Sequence, residues 1–214
     1  MYKNNEAFKT IKDAHKEILK LILDEGTEVE NTLEVQNISL CFDFPLRFHG
    51  NLFENVTPIA AKHMVQMLLK PNPELPKTHY GRLHNFLVGK SDEVGEVVVS
   101  YDQIEEVIKR LKENPLSKRC VLTLWQPQDV SDEYALSWVV SQVMIRDNKL
   151  IMTNYFRGCD IFNAFPFNLL GIAYLQRDLA KELGVEIGEF VVHIGSAHIY
   201  KIHKNDIETY LAKP

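Results

Sequence analysis

Arg157-Gly158-Cys159-Asp160-Ile161-Phe162-Asn163-Ala164-Phe165-Pro166-Phe167-Asn168 reads as a short strand-to-helix turn that carries an arginine, a carboxylate and an amide. Downstream, Phe167 to Leu183 is a long apolar helix, and Gly184 closes it. A buried strand, Phe190 to Ile194, follows. It leads into Gly195-Ser196-Ala197-His198-Ile199-Tyr200, where His198 and Tyr200 stand two apart and so share one face of an extended segment.

Upstream, Ser137 to Ile145 and Leu150 to Phe156 flank Asp147-Asn148, a turn pair that predicts a β-hairpin. Val121 to Trp125 predicts another strand, and Asp102 to Glu113 a helix with Ile104, Val107, Ile108 and Leu111 on one side. At the start of the chain, Ile11, Ala14, Ile18, Leu21 and Ile22 mark an amphipathic helix over residues 5–24, ended by Gly26. Strand-like spacing fills Glu28 to Phe48. A further helix is predicted from Pro58 to Leu69, and a short one from Asn205 to Leu211. Helices and strands alternate irregularly, so a mixed α/β or α+β fold follows, expected as one domain over residues 1–214.

The composition, 45% hydrophobic and 25% charged, is that of a globular chain. A formal net charge of −5 disfavours general nucleic-acid binding, though a local phosphate pocket remains open. Cys41, Cys120 and Cys159 form no C-x-x-C pair and read as reduced thiols. No apolar run approaches the roughly 20 residues of a membrane span, so a cytoplasmic protein is expected. His193, His198 and His203 are spaced so that neighbours fall on opposite faces of an extended segment, and no metal site is expected.

The two motifs, with Ser117-Lys118-Arg119-Cys120 before a strand and Tyr80-Gly81-Arg82 further up, resemble the thymidylate synthase and pyrimidine-nucleotide hydroxymethylase family. The resemblance covers roughly residues 78–203 well and the first 77 loosely. It implies an α/β sandwich whose large twisted mixed sheet packs back to back in a homodimer. It also implies a pyrimidine nucleoside monophosphate as ligand, with dUMP the first to consider. Arg157 would bind the phosphate within its own subunit, and Lys118 and Arg119 would reach the partner's site. Asn168 would read the uracil edge, since an amide both donates and accepts. His198 and Tyr200 would hold the sugar 3′-hydroxyl. Gln142 and Tyr80 would lie near the base, and Asp160 would anchor a reduced folate. Taken alone, Lys118, Arg119 and Arg157 read first as solvated cations, Asp160 and Asn168 as caps of a turn or helix, and His198 and Tyr200 as an ordinary strand end.

The departures matter as much. The family's chemistry uses a thiolate that adds to C6 of the pyrimidine and makes C5 carbanion-like. Counting back from Asp147-Asn148 and Gln142 puts Ser137 at that place, with no cysteine between Cys120 and Cys159. The family's serine after the arginine is Gly158, and one of its paired arginines is Lys118, a point charge in place of a planar fork. Its catalytic glutamate is replaced by Met67 in Val65-Gln66-Met67-Leu68-Leu69. Methylene-tetrahydrofolate is therefore a doubtful cofactor. Two functions are compatible with these residues: an enzyme acting at C5 of a uracil nucleotide by non-standard chemistry, or a silent nucleotide-binding or regulatory homodimer. A nucleotide-processing enzyme of another reaction type is a third.

Overall fold

The computed structural model describes residues 7–43, 70, 78–92, 95–133 and 135–213. The predicted helix from Pro58 to Leu69, and Met67 on it, lie outside the described residues. Helix α1 runs Ile11–Glu25 and begins later than the spacing predicts. Thr10 explains the start: its hydroxyl oxygen accepts from the Asp13 N–H and caps the first turn. Strands β1 (Thr27–Val29) and β2 (Thr32–Phe42) follow. A short helix α2 (His79–His84) and a hairpin of β3 (Phe86–Asp92) and β4 (Gly95–Tyr101) occupy a region where the sequence suggests no element. Next come α3 (Gln103–Glu113), β5 (Val121–Thr123), β6 (Trp138–Arg146) and β7 (Lys149–Asp160). Helix α4 (Phe165–Leu183), β8 (Glu186–Tyr200) and α5 (Lys204–Ala212) complete the described chain.

One six-stranded sheet, ordered β1-β2-β8-β7-β6-β5, organises these elements. Only β7 and β8 pair in parallel within it, joined by the crossover helix α4, and every other pair is antiparallel. The predicted hairpin is present. Asp147 and Asn148 both have positive φ, 50° and 59°, the geometry that lets a two-residue turn follow the strand twist. Gly184 closes α4 in the left-handed conformation at φ 68°, as its position predicts.

Apolar side chains of α1 and α4 cover one face of the sheet. Ile18, Leu19, Ile22, Phe165 and Leu169 meet Phe42, Phe156, Phe190 and Val192, all buried. A buried polar chain runs within this core: Trp138 Nε1 donates to Ser141 Oγ at 2.8 Å, and Ser141 Oγ to Asn154 Oδ1 at 2.5 Å. Asn154 Nδ2 in turn donates to the Val191 carbonyl, so β6, β7 and β8 are tied through side chains as well as backbone. At the sheet's β5 edge, Gln103 acts as a substitute strand. Its amide accepts from Thr123 N and donates to Thr123 O, which blocks further pairing there.

The inward alternation of the strands changes phase along one line across the sheet. On β8 the buried set runs Phe190, Val192, Ile194 and then Ala197, Ile199. On β7 it runs Leu150, Met152, Asn154, Phe156 and then Cys159. On β6 the shift falls at the irregularity between Trp138 and Val140, and on β2 it falls at Asn37, whose φ is 58°. Such a local break bends the strands and turns side chains beyond it to the other face. Glu34, Gln36, Gly158, Asp160, Ser196, His198 and Tyr200 all lie beyond that line, facing away from the core.

Candidate functional site

The strand ends beyond the line carry Asp160, His198 and Tyr200 of the expected site. Because β7 and β8 are parallel and in register, Asp160 pairs with His198 and Gly158 with Ser196. Tyr200 stands two residues on, and its ring meets the His198 ring edge-on at 5.8 Å. On the other side of β8, Glu34 of β2 is directly opposite His198. Ser196 Oγ donates to Glu34 Oε2 at 2.5 Å, and Gln36 Nε2 donates to Glu34 Oε1 at 2.8 Å. These bonds hold the Glu34 carboxyl below its ordinary range, aided more weakly by the neighbouring His198.

Arg157 stands at the phase line and grips the turn that carries Ser137. Its Nε donates to the Leu136 carbonyl at 3.1 Å and its Nη2 to the Ala135 carbonyl at 2.7 Å. The Arg157 N–H also donates to the Ser137 carbonyl, and the guanidinium lies 5.6 Å from the Trp125 ring. Two of the five guanidinium N–H donors are thereby committed to this turn, and the others can meet an anion.

Asp160 does the work of a cap. Its Oδ1 accepts from the Phe162 and Asn163 N–H groups, and its Oδ2 from Asn163 Nδ2 at 2.9 Å. Asn168 sits in the first turns of α4, and its side chain hydrogen-bonds the Cys159 thiol. Burial, then the adjacent Asp160 carboxylate, push that thiol far above its ordinary pKa, while the Asn168 bond opposes them. Cys159 is buried and neutral, so it cannot serve as a nucleophile in place of Ser137. Ser137 itself is half-buried, and among the described residues no side chain hydrogen-bonds its hydroxyl.

Other expected residues fall elsewhere. Tyr80 stacks on His84 at 4.3 Å within α2, and its neighbour His79 lies against the Trp138 ring at 5.7 Å. Burial lowers the His79 pKa to about 4, consistent with a ring packed flat on indole although part of its edge still meets solvent. Gln142 Nε2 donates to the Lys118 carbonyl at 3.1 Å, which fixes the segment before β5. The side chains of Lys118 and Arg119 are exposed. Thus the structure joins Arg157 to the Ser137 turn, Asp160 to His198 and Tyr200, and Asn168 to Cys159. The Cys159 thiol also donates to the Asp160 carbonyl at 3.8 Å, which links the second and third of these groups.

The thymidylate synthase family model matches residues 76–214, well over half of the chain. This chain belongs to the thymidylate synthase family. A thymidylate synthase of Oenococcus oeni is 39% identical to it over 116 residues. That stretch is 54% of this chain and 36% of the relative, so the chain spans well under half of that protein's length. The large mixed sheet is the one expected of the fold. Among the described residues no helix is long and apolar enough to cross a membrane.

Sequence reasoning missed Glu34, Gln36 and Trp125. Glu34 lies in a stretch correctly read as strand, but its partners come from β8, about 160 residues away, and no local pattern reports that pairing. Asp160, the carboxylate the family resemblance assigns to a reduced folate, already accepts three hydrogen bonds from its own turn, which leaves about one lone-pair site for a ligand.

Proposed function

We propose that this chain binds a uracil nucleoside monophosphate, with dUMP as the reference ligand, and acts at C5 of the base as a transferase of nucleotide biosynthesis. The observation that carries this reading is the pairing of Asp160 with His198 beside Arg157, on adjacent parallel strand ends. Arg157 binds the phosphate through its uncommitted N–H groups while its other edge holds the Ser137 turn. His198 and Tyr200 take the sugar 3′-hydroxyl. Asn168 reads the base, and its bond to Cys159 keeps its amide oriented. Tyr80 and Gln142 line the base side. Ser137 stands where the attacking group belongs, but a serine hydroxyl without an adjacent base is a weak nucleophile. The chemistry is therefore not that of a thiolate.

The protein works as one domain in a homodimer. The outer sheet face bearing Val140, Met144, Ile151, Tyr155 and Val191 is covered by no described helix, and Tyr155 is 42% exposed. An apolar sheet face of this kind buries itself against a copy of itself. Lys118 and Arg119 would then extend to the partner's phosphate. A cytoplasmic setting agrees with three cysteines that form no disulfide.

A second reading, a silent nucleotide-binding protein, is favoured by the buried, neutral Cys159 and the unassisted Ser137. Calorimetry with dUMP, dCMP and dTMP tests binding. Tritium release from C5-labelled dUMP, with and without methylene-tetrahydrofolate, tests chemistry. Release that disappears in Ser137→Ala supports the enzyme. Binding without release supports the silent protein, and absence of binding by all three nucleotides removes both.

A further inference from the structure

We propose that Glu34 is a further ligand-contacting residue, a carboxylate that accepts the sugar hydroxyls of the bound nucleotide and gives the site a preference for ribose over deoxyribose. The inference rests on the reading of His198 and Tyr200 as the sugar end of the site.

Three features of the structure lead there. Glu34 is directly opposite His198 across the β2–β8 pair, so the two side chains leave the sheet on the same face. Thr32, two residues before Glu34, is opposite Tyr200, so β2 runs along the His198–Tyr200 pair on the same face. The carboxylate is not free to swing away. Ser196 Oγ holds Oε2 and Gln36 Nε2 holds Oε1, one bond to each oxygen. Finally, the position opposite Ser196 on β7 is Gly158. A Cβ there would lie in ordinary contact, 3.7 Å from Ser196 O and 3.9 Å from His198 Cε1 and Ser196 Cβ, so the glycine leaves the width of a small side chain beside the imidazole.

An ionised carboxylate offers about four lone-pair sites. Ser196 and Gln36 use one on each oxygen, and each oxygen can accept again. Two adjacent hydroxyls match two adjacent carboxylate oxygens, whereas a deoxyribose supplies only its 3′-hydroxyl. Acidic side chains read ribose hydroxyls in dinucleotide sites by the same chemistry. The placement also sets the direction of the ligand. Arg157 stands at the phase line and Glu34 at the far strand ends, so a 5′-phosphate is drawn to the first and repelled by the second.

The test is calorimetric titration of UMP and dUMP into the native chain, Glu34→Gln, Glu34→Ala and Ser196→Ala, with thermal melts of each. Glu34→Gln keeps an acceptor for Ser196 and guards against loss of folding. The native chain is expected to bind UMP about tenfold more tightly than dUMP, the scale of one charge-assisted hydrogen bond. In Glu34→Ala the ratio falls to near one, because UMP weakens about tenfold more than dUMP, which loses only its 3′-hydroxyl contact. Ser196→Ala, which only unfastens the carboxylate, gives an intermediate ratio. A UMP-to-dUMP ratio unchanged by both Glu34 variants, equal weakening of both nucleotides, or tighter native binding of dUMP each overturns the proposal. Failure of the native chain to bind either nucleotide overturns instead the reading of the site as a nucleotide pocket, and this inference with it.

Discussion

Gly195 of β8 and Arg157 of β7 meet backbone to backbone, so that a Cβ on Gly195 would stand 2.9 Å from the Arg157 carbonyl oxygen and 2.9 Å from the Tyr155 hydroxyl. The tyrosine can move; the carbonyl belongs to the strand. This contact sits on the line where the sheet changes phase, so it sets how far Arg157 stands from His198. Gly195→Ala is expected to cost about 2 kcal/mol by overpacking and to weaken nucleotide binding more than that loss of stability explains. Urea denaturation alongside nucleotide titration checks it, and a variant as stable as the native chain would show that the strands part freely here.

Gly158 behaves differently, because a Cβ there finds only ordinary contacts of 3.7–3.9 Å. Gly158→Ser should fold with stability within about 0.5 kcal/mol of native. Its hydroxyl adds a donor next to Arg157, so affinity for a nucleoside monophosphate should rise, with no change for the unphosphorylated nucleoside. An equal gain for both ligands would place the new hydroxyl away from the phosphate.

His15 makes the fold sensitive to acid. Its ring is 1% exposed, packed between Phe165 and Tyr210, and burial lowers its pKa to about 4 against the partial support of the Ile161 and Phe162 backbone. Between about 6.5 and 4 the unfolded chain takes up a proton that the folded chain refuses, so stability falls as pH falls through that window and is fully present above it. The loss is on the order of 3 kcal/mol across the window, and His79, depressed in the same direction, adds to it. Denaturant midpoints measured at pH 7.5 and pH 5 should differ, and His15→Gln should flatten the difference. A slope that survives in both His15→Gln and His79→Gln would assign it to other groups.

Arg82 and Asp129 form a buried ion pair at 2.6 Å, with Asp129 only 2% exposed and its second oxygen accepting from Gln126 N at 2.8 Å. The pair ties α2, which carries Tyr80, to the turn that follows Trp125. Asp129→Ala leaves a buried guanidinium without its partner and should cost about 3–5 kcal/mol. The double variant Arg82→Met with Asp129→Leu should be milder than either single change. A double-mutant cycle with no coupling between the two positions would contradict this account.

Asn168→Asp exchanges an amide that can both donate and accept for a group that, ionised, only accepts. The expected outcome is a shift of at least about tenfold in relative affinity from dUMP toward dCMP, whose amino group donates where uracil accepts. Competition titrations report it, and an unchanged preference means that Asn168 orients Cys159 without touching the base.

The elements that the sequence makes legible are those whose cause is local. Asp147-Asn148 tolerate positive φ, Gly184 accepts the left-handed cap, and the apolar run of α4 repeats at helical spacing. The strand pattern of β8 was legible only over Phe190–Ile194, because the phase change at Gly195 breaks the alternation before Ala197 and Ile199 resume it. The region from Thr78 to Tyr101 escaped because α2 is only six residues long and owes its place to the Arg82–Asp129 pair, which no window of sequence contains. Residue types and order alone single out Arg157, Asp160, His198 and Tyr200 as candidates. Their present partners were not deducible: Arg157 spends two donors on the Ser137 turn, and Asp160 caps its own loop.

By itself, then, the sequence of this protein determined which turns close, which helix caps hold and which family its motifs belong to, because backbone preference and motif order are written in neighbouring residues. Tertiary structure alone decided that Glu34 faces His198, that Gly195 presses on Arg157 and that Cys159 is sealed from solvent. Those relations depend on strand register and burial, which arise only when segments far apart in the chain are brought side by side.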